Sequence, residues 1–333
     1  MANTRSRIST DIDFERAGKQ EGFLRLPHSV HRSAYGYIPI PIVTVRNGKG
    51  PRVLLSAGNH GDEYEGQIAL TKLARTLEPE AVSGQVIILP MANFPAAQAG
   101  TRTSPIDGGN LNRIFPGNPD GGPTEIIAHY IESVLLSQVD VAVDLHSGGS
   151  SLLYIPGTLA RRHADPAKLD TVLGLVRAFG APMSYLMGPG GEDRSILAAA
   201  ERAGITAISA ELGGAGMVTR ETLALTERGV LNVLRHLGVL AGKPEPHPVR
   251  ILEVVRARHY VYSPDGGLFE PRAELGDAAK TGQLAGLVHF PDTPWREPTP
   301  VHFVGDGLVV CKRVPARVER GDCLYHLAGD LGL

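Results

Sequence analysis

Apolar positions along the chain fall into short runs that alternate with longer stretches of helical spacing. Residues 42–46 (IVTVR) read as a strand, and Asn47-Gly48-Lys49-Gly50 as a turn. Residues 53–57 (VLLSA) form a compact apolar run, the pattern of a buried strand. It ends in Gly58-Asn59-His60-Gly61-Asp62-Glu63, and a helical spacing of Ile68, Leu70, Leu73 and Leu77 follows. The rhythm then repeats. Residues 85–90 (QVIILP) are a second buried strand, followed by a long polar, glycine-rich loop over 93–123. Residues 124–136 read as a helix capped by Thr124, with Ile126, Ile127, Ile131 and Leu135 on one side. Residues 139–145 (VDVAVDL) are a third strand, ending at His146, and residues 206–210 (TAISA) a fourth, ending at Glu211. Helices are expected over 169–179, 195–203 and 221–240. Strands alternating with helices predict an α/β fold, a mainly parallel sheet between helices.

A proline-rich stretch at 243–248 (KPEPHP) marks a boundary. Beyond it short strands and turn signals replace the helices. The expected organisation is an α/β catalytic domain over 1–245 and a smaller all-β domain over 249–333, with the first forty residues packing on or joining the β domain. The spacing of Gly282 and Gly286, Gly305-Asp306-Gly307 and Arg320-Gly321-Asp322 is similar to the flattened barrel, or barrel-sandwich hybrid, of lipoyl- and biotin-carrier domains. Asp306-Gly307 stands where a carrier has its modified lysine, so covalent carriage is not expected.

Composition narrows the function classes. The 333 residues are 42% hydrophobic and 20% charged, an ordinary globular balance. With 33 basic against 35 acidic residues, net charge −2 and no basic run, a nucleic-acid partner is not expected. No apolar run reaches the roughly 18–20 residues of a membrane span, and the N-terminal segment lacks the apolar core of a signal peptide. Cys311 and Cys323 are too few for a disulfide scaffold. One disulfide or two free thiols both fit, and two thiols in a reducing cytoplasm is the simpler reading. A homo-oligomer is compatible with all of this.

The chemistry gathers at strand ends, where open parallel sheets bind ligands. The first buried strand delivers His60 and Glu63, whose H-x-x-E spacing puts both on one side of a strand-to-helix turn. The third delivers His146, with Asp144 on the same face as a partner able to orient it. Two histidines and one glutamate, with a fourth position for water, make a common catalytic zinc set. Glu211, ending the fourth strand, is placed as a general base. In the long loop, Asn112 beside Arg113 suits bidentate capture of a carboxylate, and Arg102 suits an oxyanion. Each residue also has a structural reading. His60 could cap the following helix, and Glu63 could be an acid at the helix dipole. His146 could be a core histidine, Glu211 an arginine partner and Arg113 a surface residue. The remaining histidines, His326 among them, read as surface or packing residues. No G-x-S-x-G elbow is present, which disfavours a serine hydrolase. Residues 188–191 (GPGG) read as loop rather than phosphate cradle.

Four segments, Gly58 to Glu63, Asn110 to Phe115, Asp144-Leu145-His146 and Ala210 to Gly213, occur in an order that resembles the succinylglutamate desuccinylase and aspartoacylase family, relatives of the zinc carboxypeptidases. The resemblance spans about residues 40–330. It implies a zinc-carboxypeptidase-like fold, one zinc ion on His60, Glu63 and His146, and Glu211 as the base. It further implies that Asn112 and Arg113 hold the substrate α-carboxylate and that Arg102 polarises the scissile carbonyl. The extended text at 35–43 (YGYIPIPIV), 58–66 (GNHGDEYEG) and 109–117 (GNLNRIFPG) narrows the resemblance to a branch that deacetylates N-alpha-acetyl-L-2,4-diaminobutyrate in ectoine degradation. The alternatives are a deacylase of N-acetylaspartate or N-succinylglutamate type, a carboxypeptidase, or a non-catalytic zinc- or ligand-binding module. A substrate with a cationic side chain calls for acids, and Glu192 and Asp193 are the candidates. The competing reading puts those two in the first turn of the helix before Glu211.

Overall fold

A computed structural model of the chain describes residues 6–188 and 192–331. Pro189, Gly190 and Gly191, read from the sequence as loop, lie outside the described residues. In chain order the first half runs β1 (Gly18–Pro27), β2 (Tyr37–Asn47), β3 (Arg52–Ala57), α1 (Glu65–Thr76), β4 (Gly84–Leu89), α2 (Phe94–Ala99), α3 (Pro123–Tyr130) and β5 (Val141–His146). There follow β6 (Leu152–Tyr154), β7 (Gly157–Arg161), α4 (Pro166–Phe179), β8 (Met183–Met187), α5 (Ile196–Ala203), β9 (Thr206–Glu211) and α6 (Arg220–His236). The C-terminal part adds β10 (Arg250–Val254), α7 (Arg256–His259), β11 (Tyr260–Tyr262), β12 (Gly267–Pro271), β13 (Ala278–Ala279), β14 (Leu284–His289), β15 (Thr299–His302), β16 (Gly307–Arg313), β17 (Arg317–Val318) and β18 (Cys323–Asp330).

The central strands run β4-β3-β5-β9-β7-β8-β10. β3 is parallel to β4 and β5, and β5 to β9, while β7 runs antiparallel to β9. Alternation along each strand builds two cores. Val53, Leu55, Val86 and Ile88 pack with Leu70 of α1, Val176 of α4 and Val233 of α6. Leu54, Ile87 and Leu89 point to the other face, against Ile126 and Ile127 of α3 and Ala199 of α5. Buried on both sides, these strands read as continuous apolar runs because they have no solvent face to alternate against. The sheet is therefore mixed and mainly parallel with helices on both faces. Among the described residues, no helix is long and apolar enough to cross a membrane.

Two features differ from the sequence reading. Residues 6–40 do not join the C-terminal β part. β1 pairs with β2 over its length, β2 pairs with β4, and Ile8, Ile12, Leu24 and Ile40 complete the core beside α3. Pro39 and Pro41 fall where β2 is paired with β1 alone, since the β4 pairing begins at Val43. A missing N–H is tolerated at such a one-sided position. Second, Thr124 is not the helix cap. Gly122 holds that position, and Thr124 bonds Asp107 through its N–H (2.7 Å) and its hydroxyl (2.8 Å).

Beyond Pro248 a four-stranded sheet, β15-β14-β12-β17, packs on β16 and β18 around Phe269, Val288, Phe303 and Tyr325. This part is stitched to the central sheet. β10 lies parallel to β8 and antiparallel to the end of β18, and β6 pairs with β16. That stitching brings the faces of β11 and β18 over the end of the central strands.

Candidate active site

β3, β5 and β9 are adjacent and parallel, so their C-terminal ends open onto one edge. His60 and Glu63 lie in the turn after β3, while His146 and Glu211 end β5 and β9 directly opposite each other in register. The H-x-x-E pair sits before α1, which starts at Glu65, so a turn rather than a helix face aligns the two side chains. Gly61 makes that turn possible, because a Cβ there would come within 1.9 Å of the Ala96 carbonyl oxygen.

His60, Glu63 and His146 are all buried, and one ligand atom of each lies within 4.8 Å of the others. Glu63 is held between the imidazoles, Oε1 at 2.7 Å from His60 Nδ1 and Oε2 at 2.8 Å from His146 Nδ1. The far nitrogens are occupied by acceptors. His60 Nε2 is 3.1 Å from Asn110 Oδ1, and His146 Nε2 is 2.5 Å from Asp144 Oδ2. A proton on each Nε2 leaves both Nδ1 lone pairs turned toward Glu63, the arrangement that metal-ligating histidines require. Asp144 is itself fixed by donors from Ser56 Oγ and from Asn59 Nδ2 at 3.1 Å. Burial opposes the charged forms, yet His60 and His146 hold the Glu63 carboxyl well below the ordinary carboxylate range. Asp144 and Glu63 in turn raise His146 despite its burial, whereas burial pushes His60 down. Two imidazole nitrogens and a carboxylate converge within 4.8 Å of one another, a set of donors common at divalent zinc. The donor set thus fits a metal ion.

The long loop closes over this cluster. Phe115, fully buried, donates its N–H to the Arg194 carbonyl (3.2 Å), and Asp107 ties the other end to Thr124. Between these anchors Asn110 caps a short turn, Leu111–Arg113. Asn112 Nδ2 comes to 3.4 Å from His146 Nε2, while its Oδ1 accepts from the Ile196 N–H at 2.9 Å. Arg102 Nη1 lies 3.3 Å from His60 Nδ1 and 3.5 Å from Glu63 Oε1. Arg113 pairs with Glu192 at 3.3 Å.

Glu211 Oε2 is buried without a hydrogen-bond partner. Burial, reinforced by the charge of Glu63, pushes its carboxyl up to about 8. His60, Glu63, Arg102, Asn112, Arg113, His146 and Glu211 line one cavity of about 400 Å³.

The model of the succinylglutamate desuccinylase/aspartoacylase catalytic domain matches residues 49–237, more than half of the chain. The chain belongs to that family. It is similar to the N-alpha-acetyl-L-2,4-diaminobutyric acid deacetylase of Halomonas elongata, at 44% identity over 97% of this chain and 95% of the relative. Among solved structures it superposes on a succinylglutamate desuccinylase/aspartoacylase from Rhodobacter sphaeroides with a TM-score of 0.93 at 43% identity, covering 98% of this chain and 100% of the other. The product-bound ectoine utilization protein EutE (DoeB) of Ruegeria pomeroyi gives a TM-score of 0.94 at 39% identity, covering 98% of this chain and 99% of the other. Membership of the succinylglutamate desuccinylase/aspartoacylase family makes the chain a hydrolase of N-acyl amino acid amides.

The two acids expected to meet a cationic side chain part company in the structure. Asp193 is 82% exposed at its side chain, pairs with Arg161 at 3.6 Å and is not part of the cavity wall. Glu192 does line the cavity, but its oxygens face Arg113 (3.3 Å) and Arg194 (3.4 Å). Neither is in the first turn of α5, which starts at Ile196 under the cap of Ser195. The sequence reading also passed over Arg161, Tyr154, Tyr260, Tyr262 and His326, which line the same cavity. A signal was present in Tyr260-Val261-Tyr262, since alternate residues of a strand share a face. His326 carried none, because its strand reads as ordinary β core.

Proposed function

We propose that the chain is a cytoplasmic, zinc-dependent deacetylase that hydrolyses N-alpha-acetyl-L-2,4-diaminobutyrate to acetate and L-2,4-diaminobutyrate, a step of ectoine degradation. The convergence of His60, Glu63, His146 and Glu211 on one strand edge carries the chemistry. The substrate rests on the identity to the Halomonas elongata deacetylase and on the likeness to EutE.

His60 and His146 through Nδ1, with Glu63, would hold one zinc ion. When bound, zinc supplies acidification of water and polarisation of the acyl oxygen. Asn110 and Asp144 fix the tautomers that keep both Nδ1 atoms free of protons. Asn112 and Arg113 grip the α-carboxylate and so set the acyl group against Glu211. Glu211 accepts a proton from the attacking water and returns it to the leaving α-amine, a task suited to a carboxyl raised toward neutrality. Arg102 steadies the oxyanion beside His60. Residues 249–333 act as a domain that walls the cavity through Tyr260, Tyr262 and His326, and 1–245 as the catalytic domain.

Acetate release from N-alpha-acetyl-L-2,4-diaminobutyrate, its N-gamma isomer, N-acetylaspartate and (as succinate) N-succinylglutamate tests the substrate. Turnover of the alpha isomer alone is expected. Preference for an acyl dicarboxylate would replace the substrate and keep the chemistry.

A further inference from the structure

Among the described residues the carboxylates that line the cavity are Glu63, Glu192 and Glu211. Glu63 is taken by the two imidazoles, and Glu211 is the proposed base. Glu192 has no part in that chemistry. Its backbone is pinned just before α5, where its carbonyl accepts from Ser195 Oγ at 3.1 Å and from Arg161 Nη1 at 3.4 Å. Its side-chain oxygens are not equivalent. Oε1 accepts from the Arg194 N–H at 3.0 Å and from Arg194 Nε at 3.4 Å, which orients the carboxylate. Oε2 accepts no aligned hydrogen bond among the described residues and meets Arg113 Nε as an ion pair at 3.3 Å. A carboxylate has lone pairs for about four partners, so Oε2 keeps room for a further donor beside Arg113.

The neighbouring charges decide what that donor is. Arg113 is the proposed partner of the substrate α-carboxylate, so Oε2 stands next to the point where that carboxylate docks. Arg194 is 66% exposed at its side chain, and water weakens its hold on the Glu192 charge. Arg161 turns its charge to Glu201 at 2.8 Å and to Asp193 at 3.6 Å. An acyl diamino acid with a short side chain carries an ammonium within a few ångströms of its own α-carboxylate. Carboxylate on Arg113 and ammonium on Glu192 set charges of alternating sign side by side, with charge-assisted hydrogen bonds between them. An acyl dicarboxylic acid would instead bring its second carboxylate against Glu192, a repulsive element that sharpens selection. We propose that Glu192 Oε2 receives the distal ammonium of the substrate, so that the Arg113–Glu192 pair selects acyl diamino acids over acyl dicarboxylic ones. This inference rests on the deacetylase reading and assigns its side-chain specificity.

Steady-state kinetics of the zinc-loaded full chain test it, with N-alpha-acetyl-L-2,4-diaminobutyrate and N-acetyl-L-norvaline, an isostere that replaces the ammonium by methyl. The readout is the ratio of the two kcat/KM values. Wild type should favour the cationic substrate by about 10- to 100-fold, the scale of a hydrogen bond between charged groups. Glu192→Gln keeps the shape and removes the charge, and Glu192→Ala removes both. Each should lose most of that preference, chiefly through a higher KM for the diaminobutyrate derivative. An effect passed on through Arg113 falls on both substrates and cancels in the ratio. A ratio that stays at the wild-type value in these variants would overturn the proposal and leave Glu192 a partner of the arginines alone. Hydrolysis of the two substrates at equal efficiency by wild type would overturn it without any variant, while the deacetylase reading stands. No hydrolysis of the diaminobutyrate derivative, with turnover of N-acetylaspartate, would overturn both.

Discussion

In the proposed zinc site Asp144 sets the ligand state of His146, and Asp144→Asn isolates that role. The carboxylate accepts from three donors: Ser56 Oγ, Asn59 Nδ2 at 3.1 Å and His146 Nε2 at 2.5 Å. An asparagine has the same shape but one acceptor oxygen and an amide that must donate. If the oxygen stays toward His146, the amide faces Ser56, whose hydroxyl turns to accept it. The geometry survives and only the charge is lost, a change of about 1 kcal/mol between charged and neutral hydrogen bonds. If the amide faces His146 instead, Nε2 must accept and the ring proton moves to Nδ1, the nitrogen that faces Glu63. The ligand is then lost until the tautomer reverts. The two cases bracket a weakening of zinc binding of about 10- to 100-fold, as such outer partners generally show. Competition with a chromophoric chelator reads the affinity, and the rate at rising zinc shows partial recovery. Zinc affinity equal to wild type would refute the role given to Asp144.

Four further outcomes follow from the same structure. Glu211→Gln should retain zinc and lose about 10²- to 10⁴-fold in kcat; near-normal turnover would remove the base assignment. In wild type the base must be ionised, and a bound dication favours its carboxylate, so kcat/KM should rise with pH through an apparent pKa below the value of about 8 set by burial and Glu63. Gly66→Ala places a Cβ 2.5 Å from the Leu145 Cβ and 3.0 Å from the Ala57 Cβ, forcing α1 off the sheet; a destabilisation of about 1–3 kcal/mol is expected in urea unfolding, and an unchanged midpoint would contradict the close approach. Glu15, exposed, is lowered to about 2 by its bonds to Arg52 and Arg46. Its folded pKa lies below the unfolded one, so its contribution is present above about 4.5 and lost as pH falls through about 2. Glu15→Gln should therefore have a slightly lower Tm at neutral pH and match wild type near pH 2; identical values at neutral pH would show the pairs to be idle.

The central strands were legible because burial on both faces leaves uninterrupted apolar runs, and each run ended where the structure ends it, at the glycine turn before His60, at His146 and at Glu211. The residues proposed as ligands and base could be singled out because chemistry at a parallel sheet concentrates at that edge. β1 and the first part of β2 were harder. Their alternation is broken by Pro39 and Pro41, which the sequence presents as breakers and the one-sided pairing accommodates. The stitching of β10 beside β8 was hidden as well, because a boundary signal at 243–248 carries no information about which sheet the chain rejoins. The same blindness concealed the cavity wall. Tyr260 and His326 come from distant strands, and only the pairing of β11 with β18 makes them neighbours. Glu192 and Asp193, neighbours in the sequence, could not be told apart there: Glu192 lines the cavity beside Arg113, while Asp193 is exposed and pairs with Arg161.

The most direct measurement is a zinc titration of the metal-stripped protein, following bound zinc per chain and acetate release from N-alpha-acetyl-L-2,4-diaminobutyrate in the same samples. Activity absent at the start, rising with occupancy and levelling off at one zinc per chain is the expected result. Full turnover in the stripped protein, or full occupancy without turnover, would contradict the hydrolytic centre assigned to His60, Glu63, His146 and Glu211.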